Sequence, residues 1–173
     1  MANFRYKTHS IFYQIKGEGE PVVFLHGFCS DHTVWDEFAD DLAEDYQVLV
    51  MDLPGFGTSD VIPNISIAEI AEILKALLDE LGWQKITLIG HSMGGYISMA
   101  FAKQYADRLR GLGMFHSHPY DDSVDKKSSR QKVIDFIERR GAVLYLKQLI
   151  PALFTPSFVK DNSFTINPCA VYA

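Results

Sequence analysis

At 173 residues, 47% hydrophobic and 22% charged, the chain has the composition of one soluble globular domain with enough apolar material for a core. A formal net charge of -6 supplies no attraction to nucleic acid or to an anionic membrane, so neither is expected as a partner. The apolar runs are strand-sized, far short of the roughly 20 residues of a membrane span.

The start, Met1-Ala2-Asn3-Phe4-Arg5-Tyr6-Lys7, is polar and does not read as a secretory leader. Cys29 and Cys169 make no disulfide framework, and the expected compartment is the cytoplasm. Cys29 reads as a small loop residue and not as a nucleophile. No grouping of Cys, His and carboxylates has metal-ligand spacing, so neither a metal nor a cofactor is expected.

In chain order, residues 4 to 15 alternate well enough for one or two antiparallel strands at a sheet edge, and Lys16 to Pro21 is a turn. Val22 to Leu25 is a continuous apolar run, as in a parallel strand covered on both faces. Asp31 is placed to cap a helix bearing Val34, Trp35, Phe38 and Leu42, and Val48 to Met51 is the next buried strand. Ser66 opens a helix through Leu81, with Glu69 completing a capping box and Gly82 as the stop. Ile86 to Ile89, a helix over Tyr96 to Tyr105, and a strand over Leu109 to Phe115 extend the βα alternation. Such alternation implies a mostly parallel sheet with helices on both faces and ligands at the carboxyl ends of the strands. Beyond residue 117 the chain reads as helices to Arg140 and, after Gly141, to just before Pro151.

The most informative stretch is Gly90-His91-Ser92-Met93-Gly94, a Gly-x-Ser-x-Gly pattern between a strand and a helix. A serine hydroxyl is a poor nucleophile at neutral pH and must be held out of the chain's path, beside a base and facing oxyanion donors. A turn this tight needs residues nearly without side chains two before and two after the serine. Gly90 and Gly94 stand there, and Gly95 adds room. His26-Gly27-Phe28 and Asp52-Leu53-Pro54-Gly55-Phe56-Gly57 close two other strands at the same end.

With HGF, DLPGFG and GHSMGG in this order, the chain resembles the α/β-hydrolase superfamily, in its branch of small cofactor-free esterase-like enzymes. The resemblance is carried by residues 10 to 120. It implies a three-layer α/β fold whose mostly parallel sheet bears a helical cap, with residues 1–117 as the N-terminal part of the core and 118–173 as cap and tail. It implies that Ser92 is the nucleophile and that the Phe28 and Met93 N–H groups form the oxyanion hole. His26, Gly27, His91, His116 and His118 fall around the expected substrate pocket, although His26 and His91 read better as loop organisers than as bases. Asp52 reads as a loop-fixing residue. Serine at position 92, where aspartate would be required, argues against the epoxide hydrolase and haloalkane dehalogenase branches.

In this family the acid and the histidine of the triad follow the serine in chain order, after the cap. No histidine occurs after His118, and no Gly-x-x-Asp strand end follows residue 151. The last strands and both triad partners are therefore expected to be missing. Three alternatives stay open: a truncated enzyme of acyl substrates; a site completed by a homo-oligomer or a complementing C-terminal fragment; or a base role for His116 or His118 with Asp121 or Asp122. A noncatalytic module binding a small apolar ligand is the rival from another class. The tail from Phe164 to Ala173 is expected to pair weakly along an exposed edge.

Overall fold

The computed structural model describes residues 2–162. The expectation for Phe164 to Ala173 lies outside them. The chain divides into two compact units, Met1–Pro119 and Tyr120–Ala173.

The first unit carries six strands: β1 (Ala2–Tyr6), β2 (His9–Lys16), β3 (Glu20–Leu25), β4 (Tyr46–Met51), β5 (Ile86–His91) and β6 (Leu109–Phe115). They form one sheet in the order β1-β2-β4-β3-β5-β6. The β1–β2 hairpin joins antiparallel to β4, and β4, β3, β5 and β6 run parallel. The sheet is thus mixed, with the antiparallel hairpin at one margin.

Alternation along the strands sorts their side chains onto two faces. Val23, Leu25, Leu49, Met51 and Leu88 pack against Ile73, Leu74 and Leu77 of helix α2 (Ile67–Glu80) and against Ile97 and Phe101 of helix α3 (Met93–Gln104). Val22, Phe24, Val48 and Val50 meet Trp35 and Ala39, which belong to a 3-10 turn (His32–Trp35) and to helix α1 (Asp36–Leu42). The sheet is covered on both faces.

Helix α2 begins as its sequence predicts. The Ser66 hydroxyl accepts the Glu69 N–H at 3.2 Å while the Glu69 carboxylate accepts the Ser66 N–H at 2.8 Å. At its other end Gly82, at φ 71, lets Trp83 N–H reach back to the Leu78 carbonyl.

The region after Asp31 differs from expectation. Asp31 caps the short 3-10 turn, and the α-helix proper starts only at Asp36. That change of phase turns Trp35 and Ala39 inward and leaves Val34 and Phe38 exposed.

The second unit is helical: α4 (Val124–Arg140), α5 (Ala142–Ala152) and α6 (Pro156–Asp161). Ser123 caps α4, whose end is marked by Gly141 at φ 83. Leu146 and Ile150 of α5 are buried, whereas Ile134 of α4 and Leu144 of α5 are exposed. Helix α5 also runs past the expected stop to include Pro151. Proline has no N–H to give and its ring crowds the carbonyl four residues back, and the helix ends one residue beyond it. No helix among the described residues is long and apolar enough to cross a membrane.

Candidate active site

The turn from β5 to α3 is tighter than the sequence suggests, because β5 runs through His91, α3 begins at Met93, and Ser92 alone makes the bend. Ser92 has φ 51 and ψ -110, in the left-handed region that a residue bearing a Cβ enters at a cost of about 1–3 kcal/mol. Its hydroxyl makes no capping hydrogen bond to the helix it opens.

The two motif glycines permit this bend through close approaches to backbone atoms. A Cβ on Gly90 would stand 2.3 Å from the Gly94 carbonyl oxygen, and one on Gly94 would stand 2.5 Å from the Leu25 and 2.7 Å from the His26 carbonyl oxygens. Helix α3 is thereby pressed onto the end of β3. Ser98 ties its first turn by donating to the Gly94 carbonyl at 2.8 Å.

The end of β6 grips Ser92 from the other side. Ser92 N–H donates to the Phe115 carbonyl at 3.0 Å, and the Ser117 hydroxyl donates to the Ser92 carbonyl at 2.9 Å. Gly95 N–H shares that carbonyl at 3.0 Å.

The loop after β3 lies directly against this bend. A Cβ on Gly27 would be 2.9 Å from His91 Nδ1 and 3.2 Å from Ser92 Cβ. Next to it, His26 is fully buried: its Nε2 accepts the Leu53 N–H at 2.9 Å and its Nδ1 lies 2.8 Å from the Gly27 carbonyl. These partners fix the tautomer with the proton on Nδ1. Burial is the main reason that its pKa falls below the ordinary value of 6.5. A ring with both nitrogens engaged and no exposed surface organises loops; it has no nitrogen left for a substrate or for Ser92.

Asp52 does the same for the loop after β4. Burial pushes its pKa up, but the Thr58 N–H, the His32 N–H and the His32 ring outweigh this and hold it below 3.8. Its oxygens accept from Thr58 N at 2.8 Å, His32 N at 2.9 Å and His32 Nδ1 at 2.7 Å. Asp31, His32 and Asp52 each bring one ligand-type atom within 4.8 Å of the others. The Asp52 oxygens are nevertheless committed to loop N–H groups, and Asp31 Oδ1 accepts from Thr33 N and Oγ1. The trio reads as a loop clasp.

The His91 ring beside Ser92 in the chain packs among aromatic rings. The His91 ring lies 6.3 Å from Trp35, 5.8 Å from Phe115 and 6.3 Å from His116, while His118 lies 6.1 Å from Tyr96. Burial, then the neighbouring His116, lowers the His91 pKa. Phe28 is 45% exposed and contacts Phe56 edge-on at 6.0 Å. Cys29 is half-buried and its thiol is pushed up by burial, the opposite of an activated thiolate. Phe28, Ser92 and His116 all fall at the carboxyl ends of parallel strands, where such sheets take ligands.

The residues that sequence reasoning passes over are Ser117, Ser98, His32 and Thr58. Ser117, His32 and Thr58 act through backbone or carboxylate partners that the folded loops bring near, and Ser98 through the carbonyl four residues back in its own helix. The one local signal is Gly95, a glycine beyond the two that the bend requires.

This strand order, with a serine on a one-residue bend after the strand beside β3, defines an α/β-hydrolase core. The chain belongs to the alpha/beta hydrolase fold family, whose model matches residues 20–132. It is 42% identical over 113 residues to a 2-hydroxy-6-oxononadienedioate/2-hydroxy-6-oxononatrienedioate hydrolase of Escherichia coli, covering 61% of this chain and 39% of the relative. Among solved structures, a thermophilic esterase from Thermogutta terrifontis matches with 34% identity and a TM-score of 0.86, over 95% of this chain and 61% of that one. An enol-lactonase from Burkholderia xenovorans shares the fold with a TM-score of 0.88 at 19% identity, over 99% of this chain and 66% of that one. The chain thus spans well under half of the curated relative and about two thirds of these structures.

Proposed function

We propose that the protein is a serine hydrolase of ester or related carbonyl compounds. In this reading Ser92 attacks the carbonyl carbon, the Phe28 and Met93 N–H groups hold the oxyanion, and water releases the acyl group from Ser92. The observation that carries the reading is Ser92 itself, at φ 51 on a one-residue bend with Gly27 packed against its Cβ. Gly27, His91, His116 and His118 are the residues proposed to line the substrate side.

A serine of this kind needs a histidine base and an acid that orients it. His26 is excluded by its two hydrogen bonds, and Asp122 is held by Arg130 and by Lys126 at 3.6 Å. We assign both roles to a segment or partner beyond the described residues, in keeping with the greater length of the relatives.

The identity with the Escherichia coli enzyme favours a second reading within the same mechanism, hydrolysis of a 2-hydroxy-6-oxo dienedioate. Labelling with a fluorophosphonate, followed by mass mapping, tests the shared core of both: Ser92 is modified in the wild type and nothing is modified in Ser92→Ala. Equal labelling of the variant would remove Ser92 from its role. Turnover of p-nitrophenyl esters against turnover of the dienedioate separates the two readings, and binding without any turnover would favour a noncatalytic module.

A further inference from the structure

Building on the serine reading above, we infer that Ser117 is a positioning residue for the oxyanion hole, fixing and polarising the Ser92–Met93 peptide whose N–H is the proposed donor. No peptide bond among the described residues is cis. In a trans peptide the C=O and the N–H point to opposite sides of one rigid plane, so fixing the direction of the carbonyl fixes that of the amide. The Ser117 hydroxyl donates to that carbonyl at 2.9 Å, and Gly95 N–H donates to it at 3.0 Å. A hydrogen bond accepted at the carbonyl also strengthens the N–H of the same peptide as a donor.

Two independent features of the chain serve this contact. His116 adopts φ 48, a left-handed conformation that is uncommon for a non-glycine residue. It sits between Phe115, whose carbonyl holds the Ser92 N–H, and Ser117, whose hydroxyl holds the Ser92 carbonyl. Both peptide groups of Ser92 are thus gripped from one kinked segment. The second feature is Gly95. A Cβ there would lie 2.4 Å from Ser117 Oγ and 2.5 Å from Ser117 Cβ. The bend itself requires only Gly90 and Gly94; the additional glycine vacates the space that Ser117 occupies.

The test measures inactivation by a fluorophosphonate, in which the Ser92 Oγ–P bond forms, fluoride leaves and the hydroxyl proton passes to base or solvent. The reversible constant KI and the rate constant kinact are separated for the wild type, S117A and S117T, and the Met93 amide is followed by 15N–1H NMR. In S117A, kinact is expected to fall about tenfold with KI unchanged, less than the two to three orders of magnitude that loss of an oxyanion donor itself brings. S117T restores the hydroxyl and the rate, and the Met93 amide resonance moves in S117A and returns in S117T.

Wild-type kinact in S117A overturns the inference, as does an unmoved Met93 amide. A parallel loss of KI and kinact that S117T does not rescue also overturns it, since that pattern marks a merely structural role. Should S117A fail to fold, S117C, of similar size and with a weaker donor, is read by the same outcomes. A wild type that does not label even when the segment or partner supplying base and acid is present defeats the serine reading, while the Met93 amide still decides the role of Ser117.

Discussion

His26 Nε2 accepts the Leu53 N–H at 2.9 Å, so a buried imidazole fastens the loop after β3 to the loop after β4. The bond requires Nε2 without a proton. The loop after β3 borders Ser92 through Gly27, so the shape of the site is tied to the charge state of a ring that does not face it.

That dependence sets a pH response. The folded-state pKa of His26 lies below 6.5, chiefly through burial, and that of His91 is lowered in the same direction. On acidification the unfolded chain takes these protons first. The stability they contribute is therefore complete above about pH 6.5 and is lost as the pH falls below it toward the folded-state values. Thermal melts should show Tm declining as the pH is lowered below about 6.5. His26→Gln should start from a lower Tm at neutral pH and follow a shallower slope, and an unaltered slope would place the acid sensitivity elsewhere.

Gly94→Ala is expected to destabilise by about 1–3 kcal/mol, because the new methyl meets two backbone carbonyls that cannot rotate away. Gly141→Ala has nothing within 4 Å and should cost only the strain of its φ of 83. Urea unfolding of the two variants side by side measures the difference.

Asp52→Ala removes the acceptor for the Thr58 and His32 N–H groups, at about 1–3 kcal/mol for each group left unpaired. The loop from Leu53 to Gly57 should then show faster amide hydrogen exchange while α2 keeps its protection. Uniform loss of protection across both would mean that Asp52 supports the whole core and not its loop.

Ser92→Gly should be more stable than Ser92→Ala by about 1–3 kcal/mol, since glycine enters the left-handed region freely and alanine does not. Differential scanning calorimetry on the pair checks this, with neither variant labelled by a fluorophosphonate.

Much of this architecture is legible in the chain. Strands β3, β4 and β5 are apolar runs closed by glycine-bearing loops, and α2 carries its start and stop in Ser66, Glu69 and Gly82. The start of α3 is harder to read, because Gly94 and Gly95 weaken the helical pattern that β5 and Ser92 then impose from outside. Val34 and Phe38 mislead for a related reason: the 3-10 turn shifts the phase by a fraction of a turn, and periodicity alone does not register it. At the site, the bend at Ser92, the proposed nucleophile, and the glycines that permit it follow from spacing. Ser117 and His32 do not, since each meets its partner 25 and 20 residues away along the chain.

The hydroxyl proposed as the nucleophile stands on a strained stretch of main chain. A lineage kept for endurance at high temperature, and no longer for turnover, would gain most simply by trimming that side chain away to glycine. Its descendants would be sturdier and chemically silent, distinguished from their working ancestors by a single missing atom group.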